Sequence, residues 1–226
     1  MTAGKLYLVS TPIGNLSDIS LRALETLKSV DLIAAEDTRH TGRLLAHYQM
    51  KNDLTSFHDF NQRGKTPRLI ELLLGGRSIA VVSDAGTPGI SDPAYSLVNQ
   101  AILKEIEIIP IPGPTALISA LIVSGLPTDR FTFEGFLPVK SGRRAKRIAE
   151  LKEEKRTILL YESPQRLLKA LGEILVAWGD RKISVSRELT KKFEETVRGN
   201  ISEVKSYFEK KSIKGEFVLV IEGNRE

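Results

Sequence analysis

Four segments in the first half of the chain are rich in glycine, proline or polar side chains. Each follows a short apolar run, at the point where a buried strand would end. Glycine lets a ligand approach the backbone closely, proline fixes the loop, and aspartate, serine and threonine supply polar contacts. Because the carboxyl ends of parallel strands meet at one edge of a sheet, the segments predict a ligand-binding crevice at that edge. They are Ser10–Asn15, Glu36–His40, Ser83–Pro93 and Pro110–Pro114.

The sequence also limits what could bind in this crevice. It contains neither a GxxxxGK[ST] phosphate loop nor a GxGxxG turn after the first strand, which disfavours P-loop nucleotide hydrolases and ordinary dinucleotide dehydrogenases. There is no cysteine, so disulfides, iron–sulfur clusters and thiol nucleophiles are excluded. His40 and His47 lie seven residues apart without an evident third ligand, and no metal site is predicted.

Apolar runs without alternation, separated by helical patterns, predict the elements that position these segments. This pattern is typical of parallel strands covered on both faces, so the first half is predicted to be a doubly wound α/β domain. Pro67 is expected to open a helix that stops at Gly75, and Pro110–Pro114 is expected to connect two domains. The predicted strands are 5–9, 32–35, 54–57, 78–82 and 106–109.

The second half is predicted to be another α/β domain. It begins with an apolar helix, 115–123, whose lack of a polar face predicts burial. Two consecutive strands, near Lys182 and Glu195, predict a mixed sheet. The chain is therefore divided into domains 1–112 and 113–226.

Charge is distributed unevenly along the chain, whose formal net charge is +5. The part up to Gly113 has 11 basic and 12 acidic residues, whereas the remainder has 22 and 16. A basic second half favours either polyanion binding or a solvated surface. No apolar stretch approaches the roughly 18 residues of a membrane span, and the sequence predicts a cytoplasmic protein that does not bind membranes.

The motifs at the strand ends resemble those of the bacterial 16S ribosomal RNA cytidine 2′-O-methyltransferases, members of the tetrapyrrole methylase superfamily. The resemblance covers nearly the whole chain, and the segment Asp84–Pro93 is its most specific part. The first-half motifs are LVSTPIGNL at 8–16, AEDTRHT at 35–41, VSDAGTPGISDP at 82–93 and IPGPTA at 111–116. The second-half motifs are FEGFLP at 133–138, YESP at 161–164, RELTK at 187–191, ETVRG at 195–199 and GEF at 215–217.

This resemblance implies a fold, a reaction and a set of partners. The implied fold has two α/β domains, a mostly parallel N-terminal sheet and a mixed C-terminal sheet, with S-adenosylmethionine (SAM) bound in the cleft between them. The implied enzyme is a homodimer without a metal. It transfers the SAM methyl group to the ribose 2′-oxygen of a cytidine in the decoding region of 16S rRNA in the small ribosomal subunit.

The resemblance also assigns cofactor-binding positions residue by residue. In chain order, the first group of positions matches the glycine and proline loop after the first strand. The second group matches the Gly-Asp-Pro-like loop of the superfamily and one position just beyond it, and the third matches the loop that contacts the methionine portion of SAM. Two further positions match residues that line the adenine side. The full set is Thr11, Pro12, Gly14, Asp84, Ala85, Gly86, Thr87, Ile90, Thr115, Ala116, Leu189 and Gly215.

A proton acceptor is expected because the ribose hydroxyl keeps its proton at neutral pH. Asp37 and Glu36 are the first candidates, since they close the second strand. Glu188 is the alternative base, with Lys191 as its positioning residue. Capping of the following helix is the structural alternative for Glu36 and Asp37, and a surface ion pair is the alternative for Glu188 and Lys191.

Basic residues near the predicted site are candidates for RNA contacts. Arg39 could hold a phosphate or lower the pKa of a neighbouring carboxylate. The run Lys140–Arg147, expected in a loop that enters a helix, has five basic residues in eight, and it favours phosphate contact over solubility alone. Its RNA-binding candidates are Arg143, Arg144, Lys146 and Arg147, and a weaker cluster comprises Arg63, Lys65 and Arg68.

The sequence also allows two other functions. One is methylation of a small tetrapyrrole or another acceptor within the same superfamily, although the basic run and Glu36–Arg39 argue against it. The other is a ribosome-assembly factor that binds RNA and SAM without catalysis. Incubation of the purified protein with labelled SAM and small subunits would separate them.

Overall fold

The computed structural model describes residues 2–225. The chain divides into two compact units, Met1–Thr115 and Ala116–Glu226. Each unit is built on one five-stranded sheet. Among the described residues, none of the helices combines the length and apolar character that a bilayer crossing requires.

The sheet of the first unit is entirely parallel, with the strand order β3-β2-β4-β1-β5. Helices cover both of its faces, so successive residues of one strand enter different cores: Val81 packs in one core, and Ala80 and Val82 in the other. The predicted doubly wound arrangement is confirmed. Its elements are β1 (Leu6–Val9), α1 (Leu21–Ser29), β2 (Leu32–Ala35), α2 (Thr38–His47), β3 (Leu54–Ser56), α3 (Gln62–Leu74), β4 (Ile79–Val82), α4 (Tyr95–Leu103) and β5 (Ile108–Ile111).

Two proline predictions in this unit are wrong. Pro67 lies inside α3 rather than at its start, because the N–H groups of Asn61 and Gln62 already bond the His58 carbonyl. Pro67 is on an exposed face, where water can satisfy the carbonyl that it leaves unpaired. Pro110 lies within β5, which is tolerated because β5 is an edge strand.

The second unit has a mixed sheet with the strand order β6-β7-β10-β8-β9. Only β6 and β7 are parallel, and the other neighbours are antiparallel. The predicted mixed sheet is therefore confirmed. Its elements are α5 (Ala116–Val123), β6 (Phe131–Phe136), α6 (Ser141–Leu151), β7 (Thr157–Glu162), α7 (Leu167–Trp178), β8 (Lys182–Arg187), β9 (Glu195–Asn200), α8 (Ile201–Glu209) and β10 (Phe217–Ile221).

Helix α5 is only half buried, contrary to the expectation from its composition. Leu117 and Leu121 pack with Leu159 and Val220 of the sheet. On the opposite side of the helix, Ile122 is 69% exposed. A single helix on a sheet buries only the side that faces the sheet, so an apolar composition does not ensure burial all round.

Candidate functional site

The loop after β1 and the loop after β4 are joined by hydrogen bonds at the carboxyl edge of the parallel sheet. Thr11 and Gly86 form an isolated antiparallel bridge, with N–H to carbonyl distances of 2.8 and 3.0 Å. The hydroxyls of Ser10 and Thr87 lie 3.0 Å apart. The sequence placed these loops on one edge, and the structure brings Thr11, Gly86 and Thr87 together there.

Two glycines allow these loops to approach so closely. Gly86 has a φ of +86°, a backbone conformation that other residues adopt only with strain. The side chain of Ile13 lies close to it. At Gly113, a Cβ atom would lie 2.9 Å from the Cβ of Ser10. Gly86 therefore allows the turn of the loop after β4, and Gly113 lets the loop after β5 lie against Ser10, while Ala85 next to Gly86 is exposed.

A second set of contacts connects the loop after β4 with the end of β2. The N–H of Asp37 donates to Oδ1 of Asp84 at 3.0 Å. The N–H of Asp84 donates in turn to Oε2 of Glu36 at 3.1 Å. Each loop thus fixes a carboxylate of the other, and Glu36 and Asp84 are held together at the sheet edge.

Asp37 makes the contacts of a helix cap. Its Oδ1 accepts the N–H of Arg39 at 2.8 Å, and its carboxylate binds the Arg39 guanidinium with distances of 3.1 and 2.7 Å. The hydrogen bonds from Arg39 hold the pKa of Asp37 well below its ordinary value. A carboxylate that binds protons so weakly is poorly matched to a base working near neutral pH.

Glu36 and Asp92 have the opposite electrostatic environment. Burial raises the pKa of Glu36. Burial, together with the negative charge of Glu36, raises the pKa of Asp92 to about 7, despite a hydrogen bond with Ser83. The sequence assigned no role to Asp92. Its place in the motif at 82–93 was visible, but its burial beside another carboxylate depends on the tertiary fold.

The loop after β3 also reaches this edge, which the sequence did not predict. The charge of Asp59 raises the pKa of both Glu36 and Asp92, and the charge of His58 lowers that of Glu36. These effects require proximity, since exposed charges are screened over distances of about 10 Å. The edge therefore collects carboxylates from three loops.

In the second unit, Glu188 and Lys191 form a hydrogen-bonded cluster with Glu216. Lys191 Nζ lies 3.0 Å from Oε1 of Glu188 and 2.8 Å from Oε2 of Glu216. Burial alone would raise the pKa of Glu188, but the hydrogen bond from Lys191 outweighs burial and holds this pKa below its ordinary value. The ion pair proposed as the structural alternative is therefore present.

This cluster lies on a constrained loop. Glu188 and Thr190 both have positive φ values, 49° and 66°, which are uncommon for non-glycine residues. Gly215 has a φ of +95°, and a Cβ atom there would lie 2.5 Å from Cγ of Glu188. Leu189 packs against the α5 core. Non-glycine residues in this conformation cluster at functional sites.

The basic run is helical rather than a loop, since α6 begins at Ser141. Arg143 and Lys146 are exposed. Arg144 is 4% exposed and binds both carboxylate oxygens of Glu173, at 2.5 and 2.9 Å. Arg147 pairs with Glu134 and Glu150. Arg144 is therefore engaged within the fold, and its guanidinium is not presented to an outside ligand.

The remaining predicted residues differ in accessibility. Arg39 keeps a side chain that is 83% exposed despite its ion pair, so a phosphate can reach it. Six of the predicted cofactor-binding residues differ in exposure: Thr11 and Pro12 are buried, Thr115 and Ala116 are partly buried, and Gly14 and Ile90 are exposed.

Comparison of the sequence with known families and proteins adds independent information. Residues 5–205 match the family model described as tetrapyrrole (corrin/porphyrin) methylases. The chain is 55% identical over 221 residues to "Ribosomal RNA small subunit methyltransferase I" from Synechocystis, covering 97% of this chain and 79% of that protein. It is 50% identical over 220 residues to the protein of that name from Thermotoga maritima, covering 97% and 99% of the two chains.

Solved structures resemble the fold as a whole. The uroporphyrin-III-C-methyltransferase from Thermus thermophilus superposes with a TM-score of 0.69 at 21% identity, covering 97% of this chain and 94% of that chain. A structure of the Thermus thermophilus enzyme with S-adenosyl homocysteine has a TM-score of 0.66 at 17% identity, covering 97% of both chains. At these identities the likeness establishes the fold.

Proposed function

Because the chain belongs to the tetrapyrrole methylases and, within them, to the family of small-subunit ribosomal RNA methyltransferase I, we propose that it methylates 16S rRNA. The methyl donor is SAM, and the acceptor is the ribose 2′-oxygen of a cytidine in the decoding region. The observation that carries this proposal is the 55% identity to the Synechocystis protein over 97% of the chain.

The loops after β1 and β4 suit SAM binding. Gly86 adopts a positive φ that would strain other residues, and the absence of a side chain at Gly113 lets its loop lie against Ser10. The hydrogen bonds between Thr11 and Gly86 keep that backbone in place. When bound, SAM supplies a methyl group on a sulfonium that is an excellent leaving group.

The protein must position the hydroxyl and accept its proton. Bound SAM would supply the methyl group as an electrophile for the ribose 2′-oxygen, and a carboxylate of this chain would accept the hydroxyl proton. In this proposal Glu36 is that carboxylate, because burial raises its pKa and Asp84 fixes its position. Asp92 is the neighbouring carboxyl, whose pKa of about 7 leaves it partly protonated near neutral pH.

Asp37 and the second-unit cluster then have supporting roles. Asp37 caps α2 and orients Arg39, whose exposed guanidinium can bind an RNA phosphate. Lys191 holds Glu188 through the hydrogen bond between them. The strained loop that carries both residues is proposed to help form the cofactor site, together with Leu189 and Gly215.

RNA contacts are proposed for the accessible basic residues. Arg143 and Lys146 project from the first turns of α6, where the helix N-terminus also favours phosphate. Arg147 is partly accessible and contributes less, since Glu134 and Glu150 already bind it. Arg144 is left out of the proposed RNA surface.

The proposal extends to the form of the substrate and of the enzyme. The acceptor is the assembled small subunit, and the reaction takes place in the cytoplasm. The enzyme is a homodimer, a proposal supported by apolar side chains that α5 leaves exposed, Ile118, Ile122 and Val123. Sedimentation analysis tests the dimer, which a monomer at micromolar concentration would contradict.

The acceptor class is tested by offering alternatives to the same enzyme preparation. Labelled SAM is incubated with small subunits from a strain lacking the modification, with naked 16S rRNA, or with a tetrapyrrole. We expect label in RNA from the subunits and none in the tetrapyrrole. Label in the tetrapyrrole alone would overturn the proposal, and SAM binding without transfer to any acceptor would favour a non-catalytic assembly factor.

A further inference from the structure

Phe60 presents an aromatic ring to solvent from the loop after β3, the strand next to the one that ends at Glu36. It lies in the loop between β3 and α3 and is 99% exposed. Single apolar residues on a surface are common and need no special explanation. The position of Phe60 becomes informative because of the residues that hold its loop and the charges that surround it.

The loop is held firmly by Asn61. Its Oδ1 accepts the N–H of His58 at 2.9 Å, and its Nδ2 donates to Oγ of Ser56 at 3.1 Å and lies 3.0 Å from Nε2 of His58. Nε2 of Gln62 donates to Oδ1 of Asp59 at 3.0 Å. The residues on both sides of Phe60 are therefore anchored, and the ring projects outward from a fixed backbone.

The surroundings of the ring favour a nucleic acid as its partner. Strand β3 runs parallel to β2, and the N–H of Phe57 donates to the Ala35 carbonyl at 2.7 Å, so the loop leaves the sheet at the same edge as Glu36. The charge of Asp59, the neighbour of Phe60 in the chain, acts on Glu36 and Asp92 there. Arg63, an exposed cation, follows in the first turn of α3. An aromatic ring that stacks on a base, combined with a nearby cation for phosphate, is how proteins hold unpaired RNA.

We propose that Phe60 stacks on an unpaired base next to the methylated nucleotide, with Arg63 on an adjacent phosphate. This inference rests on the proposed function, since it concerns the RNA bound at the same sheet edge. Because the backbone that carries Phe60 is anchored, its ring can stack without the loop having to be ordered, and stacking can fix the position of the target ribose.

The test compares three variants with the wild type. Phe60→Leu removes the aromatic face and keeps an apolar side chain, whereas Phe60→Tyr keeps the ring. Leu103→Ala changes a residue that is 71% exposed at the C-terminal end of α4, which is the opposite edge of the sheet. Steady-state methylation of small subunits and SAM calorimetry are measured for each, and thermal unfolding confirms folding.

We expect Phe60→Leu to lower kcat/KM for subunits about 5- to 150-fold, the range expected from loss of one stacked base. Phe60→Tyr and Leu103→Ala should stay within about twofold of the wild type, and the SAM affinity should be unchanged in all three. Arg63→Gln should weaken subunit binding and reduce its salt dependence by about one counterion.

Three results would overturn the inference. They are full activity of Phe60→Leu, an equal loss in Phe60→Tyr, and loss of SAM affinity in Phe60→Leu, which would indicate stacking on the cofactor. These results differ from a failure of the proposed function itself. In that case the wild-type enzyme would methylate no small subunits, and the inference about Phe60 would fail as well.

Discussion

The N–H of Asp84 donates to Oε2 of Glu36 across 3.1 Å, from the loop after β4 to the end of β2. Parallel strands that are neighbours in the sheet, β2 and β4, make this contact possible. This hydrogen bond holds the Glu36 carboxylate at the edge where the loops after β1 and β4 meet. The proposed proton transfer to Glu36 depends on this arrangement.

Glu36→Gln is expected to lower the rate of methyl transfer in a single turnover by about 10²–10⁴-fold, the usual contribution of a general base. The amide oxygen of glutamine can still accept the Asp84 N–H, so SAM and subunit affinity should barely change. The control is Asp37→Asn, which keeps a good helix cap and should retain most of the rate. If Asp37→Asn is the slow variant, the roles of the two carboxylates are reversed.

Asp92 should make the stability of the protein depend on pH. Its pKa is raised to about 7 from an ordinary value of 3.8, so between these values the folded chain binds a proton that the unfolded chain has lost. Stability from this group therefore falls as pH rises from about 4 to about 7 and then levels off. The effect is about 2 kcal/mol, given ~1.4 kcal/mol per pKa unit and partial exposure to solvent.

Urea unfolding at several pH values measures this effect. Relative to wild type, Asp92→Asn should gain free energy of unfolding as pH increases from 4 to 8 (about 2 kcal/mol in total). Asp53→Asn, at an exposed position, provides the matched control. A difference between Asp92→Asn and wild type that is the same at every pH would contradict this environment for Asp92.

Ala85→Trp should block SAM binding without unfolding the protein. Ala85 is exposed on the loop after β4, and it does not have the positive φ that makes Gly86 intolerant of substitution. Calorimetry should detect no SAM binding to this variant. The control, Ala3→Trp, places the same bulk at the amino end of β1 and should bind normally. Equal SAM affinity in both variants would remove this loop from the cofactor site.

The basic residues of α6 should divide into two classes. Arg143→Gln combined with Lys146→Gln should weaken subunit binding and reduce its salt dependence by up to about two counterions. Arg144→Gln should instead lower the free energy of unfolding by roughly 2–4 kcal/mol, because it breaks a largely buried ion pair with Glu173. Binding assays at several salt concentrations and urea unfolding distinguish the two effects. A change in salt dependence for Arg144→Gln alone would contradict the division.

Periodicity was sufficient to predict both sheets, because the strands are short and the central ones, such as β4 and β10, are continuous apolar runs. It misplaced Pro67 and Pro110, since their effects depend on where the helix begins and on which strand is at the edge. Neither property is encoded locally. For the same reason an apolar helix such as α5 was expected to be buried although it packs on a single layer.

The candidate site was predictable in part. The glycine loops were recognisable because glycine and proline mark backbone geometry in the sequence itself. The different environments of Glu36, Asp37 and Asp92 were not, because they depend on burial and on partners distant in sequence. Arg144 illustrates the same limit, since Glu173 lies a full strand and helix away in the chain.

The most direct test of the central claim is to identify the methylated nucleoside. Small subunits lacking the modification are incubated with the enzyme and labelled SAM, and the 16S rRNA is digested completely to nucleosides and separated by chromatography with mass detection. We expect label in 2′-O-methylcytidine, and its loss with Glu36→Gln. Label on a base, on another nucleoside, or unchanged 2′-O-methylcytidine formation by Glu36→Gln would contradict it.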